Sequence, residues 1–225
     1  MKRIAAIFST LALALAVTPS GSAQLATSAF RALGQPDLRR NSFNSIEGAE
    51  FRGPSGVAVD TRGGAAHLYV ADFGNHRVLA WEDGRTIADG QPADLALGQP
   101  TLDRGAPFGI GNAGFNGPSA LTVHPTTGDL FVSDSANNRV LRFASPFENP
   151  DNVEPNKVYG QPDFNSNNAN TGGLSGRSMR GPTGLAFDNG GNLWVCDTGN
   201  NRLMRFPAAS LDSDVPEADV VLGQD

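Results

Sequence analysis

The sequence predicts an all-β chain made of one four-stranded sheet copied three times. Three observations carry that prediction. A Gly-Pro-Ser/Thr segment recurs at Gly53, Gly117 and Gly181, with 64 residues between copies. Each interval holds short runs rich in Val, Leu, Phe, Tyr and Trp, the residues that fit a pleated, half-buried surface. The chain also carries 27 Gly and 15 Pro among 225 residues, so turns are frequent and strands short. A fixed period of this length is the mark of a stacked-repeat architecture.

The first strand of each unit follows the Gly-Pro pair. It reads Gly53-Pro54-Ser55-Gly56-Val57-Ala58-Val59-Asp60, Gly117-Pro118-Ser119-Ala120-Leu121-Thr122-Val123-His124 and Gly181-Pro182-Thr183-Gly184-Leu185-Ala186-Phe187-Asp188. The second is Leu68-Tyr69-Val70-Ala71-Asp72, Leu130-Phe131-Val132-Ser133-Asp134 and Leu193-Trp194-Val195-Cys196-Asp197. The third begins at Arg77-Val78-Leu79, Arg139-Val140-Leu141 and Arg202-Leu203-Met204. The fourth carries Leu97-Gly98-Gln99, Tyr159-Gly160-Gln161 and Leu222-Gly223-Gln224. Units of 53–99, 117–161 and 181–224 result, within a region spanning 24–225. A further Leu33-Gly34-Gln35 predicts an extra outer strand over 28–35. One four-stranded sheet cannot bury both faces, whereas sheets stacked side by side can, and this is the arrangement of propeller blades. Three copies are fewer than a closed ring needs, so the expectation is an open or incomplete propeller, either a fragment of a longer one or one part of an oligomeric ring, whose uncovered edges favour self-association.

Residues 1–23 read as an export signal. Lys2 and Arg3 precede an apolar run from Ile4 to Val17, and Gly21 and Ala23 suit cleavage after Ala23. That run is short for a membrane span. The expected location is periplasmic or extracellular, with no membrane attachment once the signal is removed. A single cysteine allows no intrachain disulfide. The formal charge is −6 and loses two further positive charges with the leader, which disfavours nucleic acid as a partner.

The segments 69–78, 131–140 and 194–203, with their upstream Gly-Pro-Ser/Thr, resemble the NHL repeat family of β-propellers, here as an exported bacterial member. The resemblance implies the propeller fold and leaves function open, since the fold hosts many activities.

Several side chains are candidates for chemistry. Asp72, Asn75 and Arg77 recur as Asp134, Asn137, Arg139 and Asp197, Asn200, Arg202, and read as hairpin structure rather than metal ligands. Asp60, His124 and Asp188 end the first strands and could gather at one mouth of a central channel. Two carboxylates and an imidazole there suit a divalent cation such as calcium, although turn chemistry explains the same residues. No other cofactor and no catalytic residue is indicated. Cys196 replaces Ala71 and Ser133 and reads as an inert small residue. His67 has no partner at recognised spacing, and His76 reads as a hairpin surface residue. Trp81, Phe143 and Phe206, with Phe51, Phe115 and Met179, read as core between blades. The linkers 35–52, 99–116 and 161–180 should cluster on one face, and their many amides suit a protein or carbohydrate ligand. The expected function is an exported binding or scaffolding module. The alternative is a metal-dependent lactonase or lyase-type propeller enzyme with a site at the channel.

Overall fold

Among the described residues, twelve strands form three antiparallel sheets of four, each in plain sequential order. The computed structural model describes residues 29, 31–35, 38–39, 46–107, 109–111, 114–150 and 153–223. The expected signal at 1–23 lies outside the described residues. Blade 1 holds β1 (Pro54–Asp60), β2 (His67–Asp72), β3 (Arg77–Trp81) and β4 (Leu95–Leu97). Blade 2 holds β5 (Pro118–Val123), β6 (Leu130–Asp134), β7 (Arg139–Phe143) and β8 (Pro155–Tyr159). Blade 3 holds β9 (Pro182–Phe187), β10 (Leu193–Asp197), β11 (Arg202–Phe206) and β12 (Val220–Leu222). The runs expected to pair do so, with Val70 opposite both Val57 and Leu79, and Val132 opposite both Leu121 and Leu141.

The two-residue alternation of each strand sends side chains to opposite faces, and both faces of the middle blade are buried. One side of blade 1, with Tyr69, Ala71, Val78, Ala80 and Leu97, meets Leu121, Leu130, Val132, Leu141 and Phe143 of blade 2. The other side of blade 2, with Phe131, Val140 and Tyr159, meets Leu193, Val195, Met204 and Phe206 of blade 3. The inner strands lie side by side, β1 against β5 and β5 against β9. Trp81 is buried in a separate cluster with Val70 and Leu79, against which the half-buried Phe51 packs, whereas Phe143, Phe206, Phe115 and Met179 are buried in these layers. Buried aromatic pairs at 5.4–5.7 Å, such as Phe115–Phe143 and Tyr159–Phe206, interlock them.

Two expectations are corrected. The recurring Gly-Gln pair is not part of the fourth strand, because Gly98 and Gly160 turn the chain out of the sheet at φ values of 80° and 85°. The stretch 28–35 forms no outer strand in its described residues, where Gly34 makes only an isolated parallel bridge to Glu50. A fourth strand needs a third strand to pair with, and each of the three third strands is already taken by β4, β8 or β12. Gly34 nevertheless sits where the repeat would put it. A Cβ at Gly34 would collide with the Phe51 ring, as one at Gly98 would with Phe115 and one at Gly160 with Met179. The motif is therefore a glycine on which the next unit's large apolar side chain rests.

The tightest joint in each blade is a buried ion pair at the second hairpin. Asp72 Oδ2 accepts from Arg77 Nε at 2.8 Å and Asn75 Nδ2 at 2.8 Å, while its Oδ1 accepts from the Arg52 N–H at 2.7 Å. Asp134 repeats this with Arg139, Asn137 and the Asn116 N–H, and Asp197 with Arg202, Asn200 and the Arg180 N–H. In each blade the Asn amide donates to the Asp carboxylate. With both partners of the Arg77 and Arg139 pairs fully buried, removing either leaves an unpaired charge away from water. Arg139→Met is expected to lower unfolding free energy by about 3–5 kcal/mol. Urea denaturation of the purified chain measures this, and a loss below about 1 kcal/mol, the range of exposed pairs, would refute the buried-pair account.

Candidate interaction face

The guanidinium of each recurring Arg has donors left after pairing with its Asp, and these fix the linkers. Arg77 Nη2 donates to the Glu50 carbonyl at 3.0 Å, and its Nη1 to the Leu102 carbonyl. Glu50 lies in the linker entering blade 1 and Leu102 in the linker leaving it. Arg139 likewise joins Gly114 of the entering linker, at 3.0 Å, to Phe164 of the leaving one, at 2.6 Å. Arg202 holds the Ser175 and Ser178 carbonyls, both at 2.8 Å. Arg77 and Arg139 are therefore posts between successive linkers, while Arg202 holds only the linker that enters blade 3.

The Gln after Gly98 and the Gln after Gly160 each close the linker they begin. Gln99 Nε2 donates to the His76 carbonyl at 3.2 Å and the Ala106 carbonyl at 2.6 Å. Gln161 Nε2 donates to the Asn138 carbonyl at 3.0 Å and the Asn168 carbonyl at 2.9 Å. Adjacent linkers also bond directly, Gly111 N–H to the Phe164 carbonyl at 3.0 Å.

On this face, among the described residues, the aliphatic side chains of Ile46 at 36%, Ile110 at 48% and Leu174 at 57% are exposed. They stand 64 residues apart, each seven positions before its Gly-Pro. The sequence reading dwelt on the amides of these linkers and missed them. The repeat period was the signal that finds them, because a residue recurring at that spacing outside the strands is easily hidden among Gly and Asn.

The candidates for metal chemistry fare differently. Asp60 is buried and both its oxygens accept from Arg62, at 2.9 Å from Nε and 2.7 Å from Nη2. Burial pushes its carboxyl up, and the Arg62 hydrogen bonds and charge outweigh that to hold it below the ordinary value. Arg62 then reaches the Thr126 carbonyl at 2.9 Å, joining the first turn of blade 1 to that of blade 2. His67 Nδ1 stands 4.0 Å from Asp60 Oδ2, and its ring lies against Phe147. His124 Nδ1 accepts from the Thr126 and Thr127 N–H groups, and its ring packs edge-on to Phe187 with centroids 4.8 Å apart. Asp188 accepts from the Gly190 and Asn192 N–H groups, the Asn192 amide and Trp194 Nε1, and these bonds lower its carboxyl to about 2. Each of the three thus serves its own turn. Among the described residues, no group of three or more His, Cys, Asp or Glu is placed to hold a metal ion. Cys196 is a half-buried free thiol on the outward side of blade 3.

His76 has a role that the sequence did not disclose. It takes a left-handed backbone, φ 53°, as do Asn138 at 55° and Asn201 at 53°. Asn and His tolerate that region better than bulkier residues. His76 Nδ1 accepts from the Gly117 N–H of blade 2 at 3.0 Å, and Asn138 Oδ1 accepts from the Gly181 N–H of blade 3 at 2.9 Å. This position is a stitch from one blade to the Gly-Pro of the next. Serine hydroxyls add a second stitch, Ser55 to the Pro118 carbonyl at 3.0 Å and Ser119 to the Pro182 carbonyl at 3.3 Å.

Sequential four-stranded blades stacked face to face define a repeat protein of the propeller class. The chain belongs to the NHL repeat family, whose profile matches residues 51–81, 115–143 and 179–206. No curated protein sequence matches this one. Among solved structures, a virginiamycin B lyase from Staphylococcus aureus aligns at 16% identity and a TM-score of 0.41, over 70% of this chain and 39% of that one. A hydrazine synthase from Kuenenia stuttgartiensis aligns at 14% identity and 0.50, over 84% and 39%. A protein from Lactobacillus plantarum aligns at 14% and 0.46, over 79% and 43%. The chain spans about two fifths of each of these structures.

Burial, then the nearby Arg52 charge, hold the His76 imidazole below its ordinary pKa of 6.5, against the pull of Asp134 and Asp72. The unfolded chain therefore binds the proton more readily than the folded one, so stability is full above about pH 6.5 and falls as the pH drops below it. His124 is depressed in the same direction, also through burial first. His76→Asn, the residue used at Asn138 and Asn201, is expected to keep the stitch and flatten the fall in melting temperature between pH 7.5 and 5.5. Thermal melts of the two proteins across that range test it; identical slopes would exclude His76 as a contributor.

Proposed function

We propose that the chain is a binding or scaffolding module that recognises a protein through its linker face. The observation that supports this best is the recurrence of Ile46, Ile110 and Leu174 as exposed aliphatics on linkers pinned by buried arginines. Apolar side chains fixed in advance lose little conformational freedom on binding, so a partner's apolar residues gain more from meeting them. Peptide backbone is a fitting second element of the ligand, because Asn and Gly surround the three positions. Aliphatic side chains favour a protein over a carbohydrate, whose rings stack better on aromatic faces. Export to the periplasm or cell exterior is part of the same reading, supported by the sequence of residues 1–23.

Panning a displayed random-peptide library against the folded chain is the direct test. Enriched peptides should carry spaced apolar residues, and Ile110→Asp and Leu174→Asp should each weaken their binding at least about tenfold, the equivalent of 1.4 kcal/mol, with melting temperature unchanged. Peptides that bind the substituted chains equally well, or enrichment of sugars alone on a glycan array, would displace the proposal.

A further inference from the structure

Arg52 and Arg180 each stand one position before a Gly-Pro, two repeats apart. Both are exposed, and among the described residues neither guanidinium pairs with a carboxylate. Arg85 and Arg177, exposed as well, hold Asp83 and Glu217 at 2.7 Å. In a chain with 23 acidic against 17 basic residues, an arginine left without a carboxylate is a departure from the pattern. The stems of the two arginines are nevertheless seated. A Cβ on Gly74 would lie 2.7 Å from Arg52 Cγ, and one on Gly199 would lie 2.6 Å from Arg180 Cγ. Blade 2 has Ala136 at the glycine position and the short Asn116 at the arginine position. The glycine thus goes with the long stem, and the methyl group goes with its absence. A guanidinium on a seated stem loses less freedom when it takes up a partner.

In blade 1 the same short turn, Phe73–Asn75, carries apolar side chains too. Phe73 is 46% exposed, where blades 2 and 3 have Ser135 and Thr198. Side chains that serve the stack recur in every blade, so the stack does not account for this ring. It is steadied against the Gly117 backbone, 2.9 Å from the place a Cβ would take there. Ile46 borders the other end of the turn. Its Cδ1 and the Asn75 Oδ1 lie 3.1 and 3.0 Å from the point that a Cβ on Gly105 would occupy. An aromatic ring, an unpaired guanidinium and an exposed aliphatic chain therefore border one three-residue turn.

We propose that the protein partner of the linker face is acidic, with an Asp or Glu next to an apolar residue: Arg52 takes the carboxylate, Phe73 and Ile46 the apolar side chain, and Arg180 a second carboxylate further along. The proposal rests on the linker-face reading and narrows its ligand. A guanidinium fork matches a carboxylate with two parallel hydrogen bonds, and apolar neighbours that exclude water strengthen the pair. Nucleic-acid phosphate also suits an arginine, but exposed aliphatics offer it nothing and a net charge of −6 opposes a polyanion.

The peptides enriched by panning the folded chain are the probe. Asp or Glu should be over-represented beside an apolar residue. Exchanging that acid for Asn or Gln in the best-enriched peptide should weaken binding about three- to tenfold, read by fluorescence anisotropy. Arg52→Met, which keeps a stem, should cost the acidic peptide as much and the exchanged peptide nothing further, because both changes remove one interaction. Phe73→Ser should weaken both peptides alike. Enriched peptides with apolar residues and no acidic preference would overturn the proposal and leave the linker-face reading standing, whereas a library that yields no binder would overturn both. Equal losses for the two peptides on Arg52→Met would make the arginine structural and overturn the proposal. Polyuridylate that binds the chain more tightly than the acidic peptide would do the same. Should Arg52→Met fail to fold, the peptide exchange on the unmodified chain decides alone.

Discussion

A carboxylate taken out of water must find its charge and its hydrogen bonds inside the protein, and Asp72, Asp134 and Asp197 organise the structure around that requirement. Each is met by an Arg, an Asn amide and a backbone N–H from the residue before the Gly-Pro. The Arg, itself without water, must then satisfy its remaining donors, and the nearest acceptors are linker carbonyls. In blades 1 and 2 the hairpin, the start of the blade and two linkers are therefore fixed by one buried pair, and in blade 3 the pair fixes one linker. The pair need not add much net stability over an apolar equivalent. Its effect is that alternative linker positions would strand a guanidinium donor, so it makes one arrangement preferred.

The joints between blades rest on a different economy. Apolar faces supply most of the attraction and carry little directional information. Register comes from the short polar stitches, His76 to the Gly117 N–H, Asn138 to the Gly181 N–H, and Ser55 to the Pro118 carbonyl. Proline after that glycine has no N–H of its own to satisfy, so the glycine is the one donor at the blade's leading edge that the preceding hairpin must meet. The left-handed turn that presents His76 or Asn138 to it explains why the position holds only His or Asn.

Much of this was legible because a repeat prints the same constraint three times. The strands, their order and the inter-blade core could be read from Val, Leu and aromatic alternation around fixed Gly-Pro and Asp-x-x-Asn-x-Arg positions. The limits of the sequence came where one residue type serves two ends. An Asp closing a first strand reads equally as ligand or turn residue, and only coordinates reveal that Arg62 takes both oxygens of Asp60 and that Asn192 and Trp194 surround Asp188. Leu33-Gly34-Gln35 read as a strand because it copies the end of one. What the motif encodes is the glycine seat for Phe51, Phe115 or Met179, and a seat needs no sheet beneath it.

Recurrence by itself therefore says little about function, since nearly every recurring side chain here is consumed by the stack. Exposure by itself says equally little, because single apolar residues are common on protein surfaces. The two together are more selective. A side chain that recurs at the repeat spacing yet packs into no blade is not explained by the stack, and Ile46, Ile110 and Leu174 meet both conditions on linkers that the buried arginines hold still. Leu203 and Leu222 are exposed too, but their counterparts Val78, Val140, Leu97 and Tyr159 are buried between blades, so these positions belong to the stack.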